Sequence, residues 1–87
     1  MGYYQGEFKN NQRQGYGIYK YRTGDFYEGD WVNGMKQGHG KQFISVEDRI
    51  YEGQFKNGQR HGQGKLLTGD GTKVLEKGTW KFDQKQI

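Results

Sequence analysis

The sequence predicts an all-β protein: a single-layer, elongated antiparallel β-meander of tandem β-hairpins. Three observations lead there. Asn-Gly pairs stand between β-like runs at Asn33-Gly34 and Asn57-Gly58, and such a pair is the strongest short-range hairpin signal, because a two-residue type I′ turn needs positive φ at both positions. Aromatic residues alternate with glycine at a period of two, as in Tyr27/Gly29/Trp31, which is strand spacing. The whole arrangement also recurs along the chain, and an internal repeat outranks any local reading of secondary structure.

The segments YQGEFKNNQRQGYG from Tyr4, YEGDWVNGMKQGHG from Tyr27 and YEGQFKNGQRHGQG from Tyr51 align without a gap, and EKGTWKFDQKQI from Glu76 begins a fourth copy. Gly6, Gly29, Gly53 and Gly78 are 23, 24 and 25 residues apart, so the drift falls in the connections. The first hairpin turns at Asn10-Asn11, where asparagine tolerates the left-handed backbone that glycine would otherwise take. Thr23-Gly24 then leads to the hairpin at Asn33-Gly34, Glu47-Asp48 to the hairpin at Asn57-Gly58, and Asp70-Gly71 to a last strand, Lys77 to Phe82. About seven strands result, in one domain spanning residues 1–87 with repeats at 4–26, 27–50, 51–75 and a partial copy at 76–87.

Turn position sets an expected register. Counting outward from Asn33-Gly34, Trp31 meets Lys36, Gly29 meets Gly38 and Tyr27 meets Gly40; the same count sets Phe8 against Arg13, Tyr4 against Gly17, Phe55 against Arg60 and Tyr51 against Gly64. Rings thus face glycines, and a ring can lie across a strand position that has no Cβ. That explains glycine inside strands, where it otherwise weakens the sheet.

These residues closely resemble the MORN repeat, the membrane occupation and recognition nexus, whose pattern is approximately YxGxWxxGxxxGxGxxxxxxG. The resemblance covers nearly the whole chain. Departures are Asn11 in place of the first turn glycine, the segment FISVEDR without its connecting glycine, and a fourth copy with Glu76 for Tyr, Asp83 for Gly and no GxG. The resemblance implies a non-catalytic interaction module of one of two kinds. One is a protein-docking or scaffold element within a larger assembly, as in ciliary radial-spoke heads, cytoskeletal scaffolds and myosin-tail adaptors. The other is a peripheral binder of phosphoinositide or other anionic phospholipid, as in junctophilins and phosphatidylinositol-phosphate kinases. The first is preferred, because a membrane surface calls for clustered bases or an inserted apolar helix. It implies a cytoplasmic location, with the cytoskeleton or cilium under the first reading and the membrane periphery under the second.

Composition narrows the classes. With 87 residues, 30% hydrophobic and 16% aromatic content and a mean hydropathy of −1.25, the chain cannot build a large layered core. No cysteine is present, which excludes disulfides and thiolate chemistry and fits a cytosolic setting. No run approaches the ~20 apolar residues of a membrane helix. MGYYQGEFKN lacks the apolar run of a secretory signal, and Gly6 stands where myristoylation favours Ser or Thr. The net charge of +4 comes from fourteen bases interspersed with ten acids, which does not support nucleic-acid binding by bulk electrostatics.

No catalytic, cofactor-binding or metal residues are expected, and no small-molecule substrate. His39 lies inside GxG and His61 just before it, so repetition does not bring them together. GQGKLLTGDG lacks the phosphate-loop spacing. Glu28 and Glu52 point away from the rings towards Lys41 and Lys65, as a salt-bridged surface. The aromatic stripe (Tyr4, Phe8, Tyr19, Tyr21, Tyr27, Trp31, Tyr51, Phe55, Trp80) has two readings: an elongated core, or a groove for a partner's apolar or helical segment. Under the second, Tyr27, Trp31, Tyr51, Phe55 and Trp80 are the candidate protein-binding residues, with Trp80 as anchor. Arg13, Lys36 and Arg60 recur opposite Phe8, Trp31 and Phe55, either as a cation–π ladder or as candidate anionic-ligand contacts. The edges at Tyr3 to Lys9 and Lys77 to Phe82 carry no proline, which invites a protein partner or self-association.

Overall fold

A computed structural model describes residues 2–86. The outermost residues of the expected 1–87 domain, Met1 and Ile87, lie outside the described residues, and with them the Met1 end of the myristoylation reading. Eight antiparallel strands follow one another in a single open sheet: β1 (Gly2–Lys9), β2 (Gln12–Tyr21), β3 (Phe26–Val32), β4 (Met35–Ile44), β5 (Arg49–Lys56), β6 (Gln59–Thr68), β7 (Val74–Lys81) and β8 (Gln84–Lys85). No helix occurs among the described residues. The sheet measures 39 × 24 × 18 Å, longer than wide as a one-layer meander should be.

Four hairpins close on two-residue turns with positive φ at both positions: Asn10 and Asn11 (53°, 64°), Asn33 and Gly34 (50°, 82°), Asn57 and Gly58 (51°, 85°), and Phe82 and Asp83 (52°, 69°). These are type I′ turns, whose twist matches that of the strands they join. The fourth was not expected, because Phe82-Asp83 is no hairpin signature. It raises the strand count from about seven to eight, and β8 pairs Trp80 with Lys85 and Lys81 with Gln84. Packing against the third hairpin holds it: the Asp83 amide donates to the Arg60 carbonyl at 3.0 Å.

The expected register holds only next to each turn. Phe8 faces Arg13, Trp31 faces Lys36 and Phe55 faces Arg60, but beyond them the pairing slips by two residues. Gly29 meets Gly40 where Gly38 was expected, and Tyr27 meets Gln42; likewise Tyr4 meets Tyr19 and Tyr51 meets Leu66. A bulge causes the slip: Asp30 alone spans three residues, Gln37, Gly38 and His39, with Gly38 at φ 77°. Gly15 (85°) and Gly62 (101°) do the same in their repeats. The two glycines of GxG therefore have separate duties. The first takes a left-handed backbone in the bulge, and the second lies beneath a ring.

A slip of two preserves the face on which each side chain stands, since strands have a period of two. It also aligns the glycines across the whole sheet: Gly6, Gly17, Gly29, Gly40, Gly53, Gly64 and Gly78 pair in succession from β1 to β7. Each tyrosine leans along its strand and covers the second glycine diagonally, so that a Cβ at Gly17, Gly40 or Gly64 would overlap the ring of Tyr4, Tyr27 or Tyr51. The ring-over-glycine expectation is thus met by a different register.

Candidate interaction surface

A zigzag of seven rings runs along one face, and five of them form the buried core. Phe8, Tyr4, Trp31, Tyr27, Phe55, Tyr51 and Trp80 touch in that order, edge to face, with centroids 4.9 to 5.5 Å apart. Such T-shaped contacts set the positive edge of one ring against the negative face of the next. The tyrosine hydroxyls are tied back locally: Tyr4, Tyr27 and Tyr51 donate to the carbonyls of Glu7, Asp30 and Gln54 at 2.9, 3.0 and 2.8 Å. The same three residues serve the bulge with their side chains, accepting from the amides of Tyr16, His39 and Gln63. A bulge amide has lost its ladder partner, and here a neighbour supplies one.

The five candidate protein-binding rings are core residues. Tyr27, Trp31, Tyr51, Phe55 and Trp80 form one buried cluster, none more than 4% exposed, with Tyr4, Tyr19 and Leu66 packed against it. They present almost no surface to a partner as the chain stands. The anchor Trp80 is 3% exposed, its ring 5.0 Å from Tyr51. One layer proves enough for burial because neighbouring rings cover one another, with glycines beneath Tyr27 and Tyr51 and cation stems over Trp31, Tyr27 and Tyr51. Leu66, absent from the expected stripe, enters it because the bulge sets it opposite Tyr51.

Arg13, Lys36 and Arg60 stand where expected in sequence but cover different rings. Arg13 lies 4.8 Å from the Trp31 centroid and 5.2 Å from Tyr19, Lys36 5.4 Å from Tyr27 and 5.8 Å from Tyr21, and Arg60 5.6 Å from Tyr51. Each backbone carbonyl accepts from the next turn, taking the amides of Gly34, Gly58 and Asp83 at 3.0, 2.9 and 3.0 Å. Gln14 and Gln37 reinforce that junction by accepting the amides of Asn33 and Asn57. Arg60 also pairs with the Asp83 carboxylate at 3.4 Å and donates to its carbonyl at 2.8 Å. Burial pushes Lys36 below the ordinary lysine range, an effect that Asp83 opposes from a distance.

Charges on the other face stay open. Glu28 faces Lys41, and Glu52 faces Lys65, but the ion pairs among the described residues are Arg60 with Asp83 and Lys85 with Glu76. The expected bridges are therefore not closed, since an exposed pair gains little from fixing two long side chains; Glu28 instead accepts from the Tyr16 hydroxyl. His39 is exposed, and His61 rests against Phe82 at 5.8 Å. Sequence reasoning passed over Lys85, which holds in Gln84-Lys85-Gln86 the place that Arg13 holds in Gln12-Arg13-Gln14. It also passed over an apolar row on this face, where Phe26 stacks on Phe43 and Ile50 pairs with Leu67.

On the turn side of the sheet Phe8 (61%), Val32 (40%), Met35 (45%) and Phe82 (63%) are exposed, while Val46, Val74 and Leu75 are exposed at the opposite, connection side. Exposed Lys9, Lys56 and Lys81 flank the same turns. The MORN repeat family model matches residues 4–26, 27–43 and 51–73, more than half of the chain. No curated protein matches it.

Proposed function

The chain belongs to the MORN repeat family, and from that membership we propose that it is a non-catalytic docking module, holding a protein partner within a larger cytoskeletal or ciliary assembly of the cytoplasm. The observation that supports this is the repeated junction between hairpins. Successive hairpins are joined by the same turn-amide bond and ring contact, with a glutamine bond at the first two junctions, so one junction geometry repeats along the 39 Å sheet and leaves one face and the turn side open. A regular surface whose turns are already held by hydrogen bonds is preorganised for docking.

A second reading, peripheral binding to anionic phospholipid, draws on Lys9, Lys56 and Lys81 beside Phe8 and Phe82, since bases next to apolar groups suit a charged interface. Two measurements separate them. Cross-linked capture of an identified protein that resists salt supports docking, while sedimentation with phosphatidylserine vesicles that disappears as salt is raised supports lipid. Binding to vesicles alone overturns the docking reading. EDTA is expected to leave folding and binding unchanged, and a large loss of Tm with chelator would expose a metal site that this reading lacks.

A further inference from the structure

Arg13, Lys36 and Arg60 occupy the same place in three successive repeats, yet only one has a carboxylate. Asp83, the second residue of the fourth turn, reaches back to Arg60. The residues at that place in the two preceding turns are Gly34 and Gly58, and a Cβ added at either would meet nothing within 4 Å. Among the described residues no carboxylate forms an ion pair with Arg13 or Lys36. Between them lies an open cavity of about 330 Å³ lined by Arg13, Tyr19, Tyr21, Trp31 and Lys36.

We propose that Arg13 and Lys36 receive acidic side chains of a partner protein, each carboxylate taking the place that Asp83 takes at Arg60. The inference rests on the docking reading above and names the partner's chemistry. Its internal precedent is the Arg60–Asp83 pair, where a carboxylate fits beside a cation already seated on a ring. Lys36 is a desolvated cation, so an arriving carboxylate restores the charged state that burial disfavours. The two cations are two strands, or roughly 10 Å, apart, and carboxylates two residues apart on an extended segment leave from one face about 7 Å apart, a gap that their flexible side chains close. A bilayer surface would meet exposed Lys9, Lys56 and Lys81 first, whereas Arg13 and Lys36 are half-buried among rings and need a ligand carried on an arm.

The test uses the blocked peptide Glu-Ala-Glu, whose carboxylates share one face of an extended chain, its Gln-Ala-Gln analogue, inorganic phosphate and phosphatidylserine vesicles, read by NMR shifts of the Trp31 indole and Arg13 guanidinium. Saturable shifts with the acidic peptide are expected, weaker by about tenfold or more with the amide analogue. The double variant Gly34→Asp, Gly58→Asp supplies both carboxylates internally and should abolish binding while the far-UV spectrum stays unchanged. Asp83→Gly should open Arg60 as a further point of contact. Equal response to the two peptides, no saturable response at all, or stronger shifts with phosphate or vesicles would each overturn the proposal. A captured partner that still binds the double variant removes this inference and leaves the docking reading standing.

Discussion

The ring of Tyr27 covers Gly40, although the residue across the ladder from Tyr27 is Gln42. The tyrosine leans two positions along its strand, and its hydroxyl reaches the Asp30 carbonyl at 3.0 Å. Gly40→Val is therefore expected to cost about 3 kcal/mol or more by overpacking, despite valine's higher strand propensity. Tyr27→Phe keeps the ring and loses one hydrogen bond, about 1 kcal/mol. Thermal unfolding of the two variants gives the order, and a neutral Gly40→Val would sink the ring-over-glycine packing.

The turns predict a contrast between two changes to glycine. Asn11 holds φ at 64° where the next two repeats use glycine, so Asn11→Gly relieves left-handed strain and should be neutral or stabilising by a few tenths of a kcal/mol. Asp83 sits at the equivalent place with φ 69°, but its side chain accepts from the Arg60 amide at 2.8 Å. Asp83→Gly should destabilise by about 1 kcal/mol. Denaturant midpoints measured side by side would refute the contrast if both variants moved the same way.

Lys36→Met should keep or raise Tm at neutral pH. The thioether replaces a desolvated ammonium while still packing on Tyr27 and Tyr21. Because burial lowers the folded-state value, the unfolded chain binds more protons between that value and the ordinary lysine value of about 10.4. This group's contribution to stability accordingly improves as pH rises through that window, and any advantage of the variant should shrink there. Melting curves across the alkaline range would contradict this if the variant lost several degrees at neutral pH.

Tyrosine acts with the opposite sign. Burial raises Tyr27, Tyr51 and Tyr21 above the ordinary phenol value, so the folded state holds protons that the unfolded chain releases above about pH 10. The stability this supplies is complete below pH 10 and is lost as pH climbs through the raised values. Absorbance at the tyrosinate band should rise together with unfolding, and Tyr27→Phe should make the transition shallower. Titration of all tyrosines as exposed phenols, with the fold intact, would contradict the burial of Tyr27 and Tyr51.

The fold class was legible because its signals are local. Asn33-Gly34 and Asn57-Gly58 prescribe their turns through backbone sterics alone, and the Tyr/Gly/Trp alternation prescribes strands. Recurrence then makes one hairpin predict the next, which is why the pairs Trp31–Lys36 and Phe55–Arg60 could be placed by counting from a turn. Phe82-Asp83 shows where locality ends. Nothing in that dipeptide asks for a type I′ turn, and it adopts one because Arg60 offers a carbonyl, an amide and a guanidinium to bind it.

The sequence by itself determined the meander and the ring-bearing face, both consequences of period two and turn chemistry. Tertiary structure decided the register beyond each turn, since a left-handed Gly38 admits a bulge whose cost is met only when Asp30 takes the freed His39 amide. It also decided what each site residue does. Trp31 and Trp80 are core because rings from adjacent repeats close over them, and Arg13 and Lys36 differ from Arg60 because a carboxylate 23 residues further along the chain from Arg60 arrives at one cation only. Contacts between repeats depend on the twist and stacking of whole hairpins, which no single repeat's sequence contains.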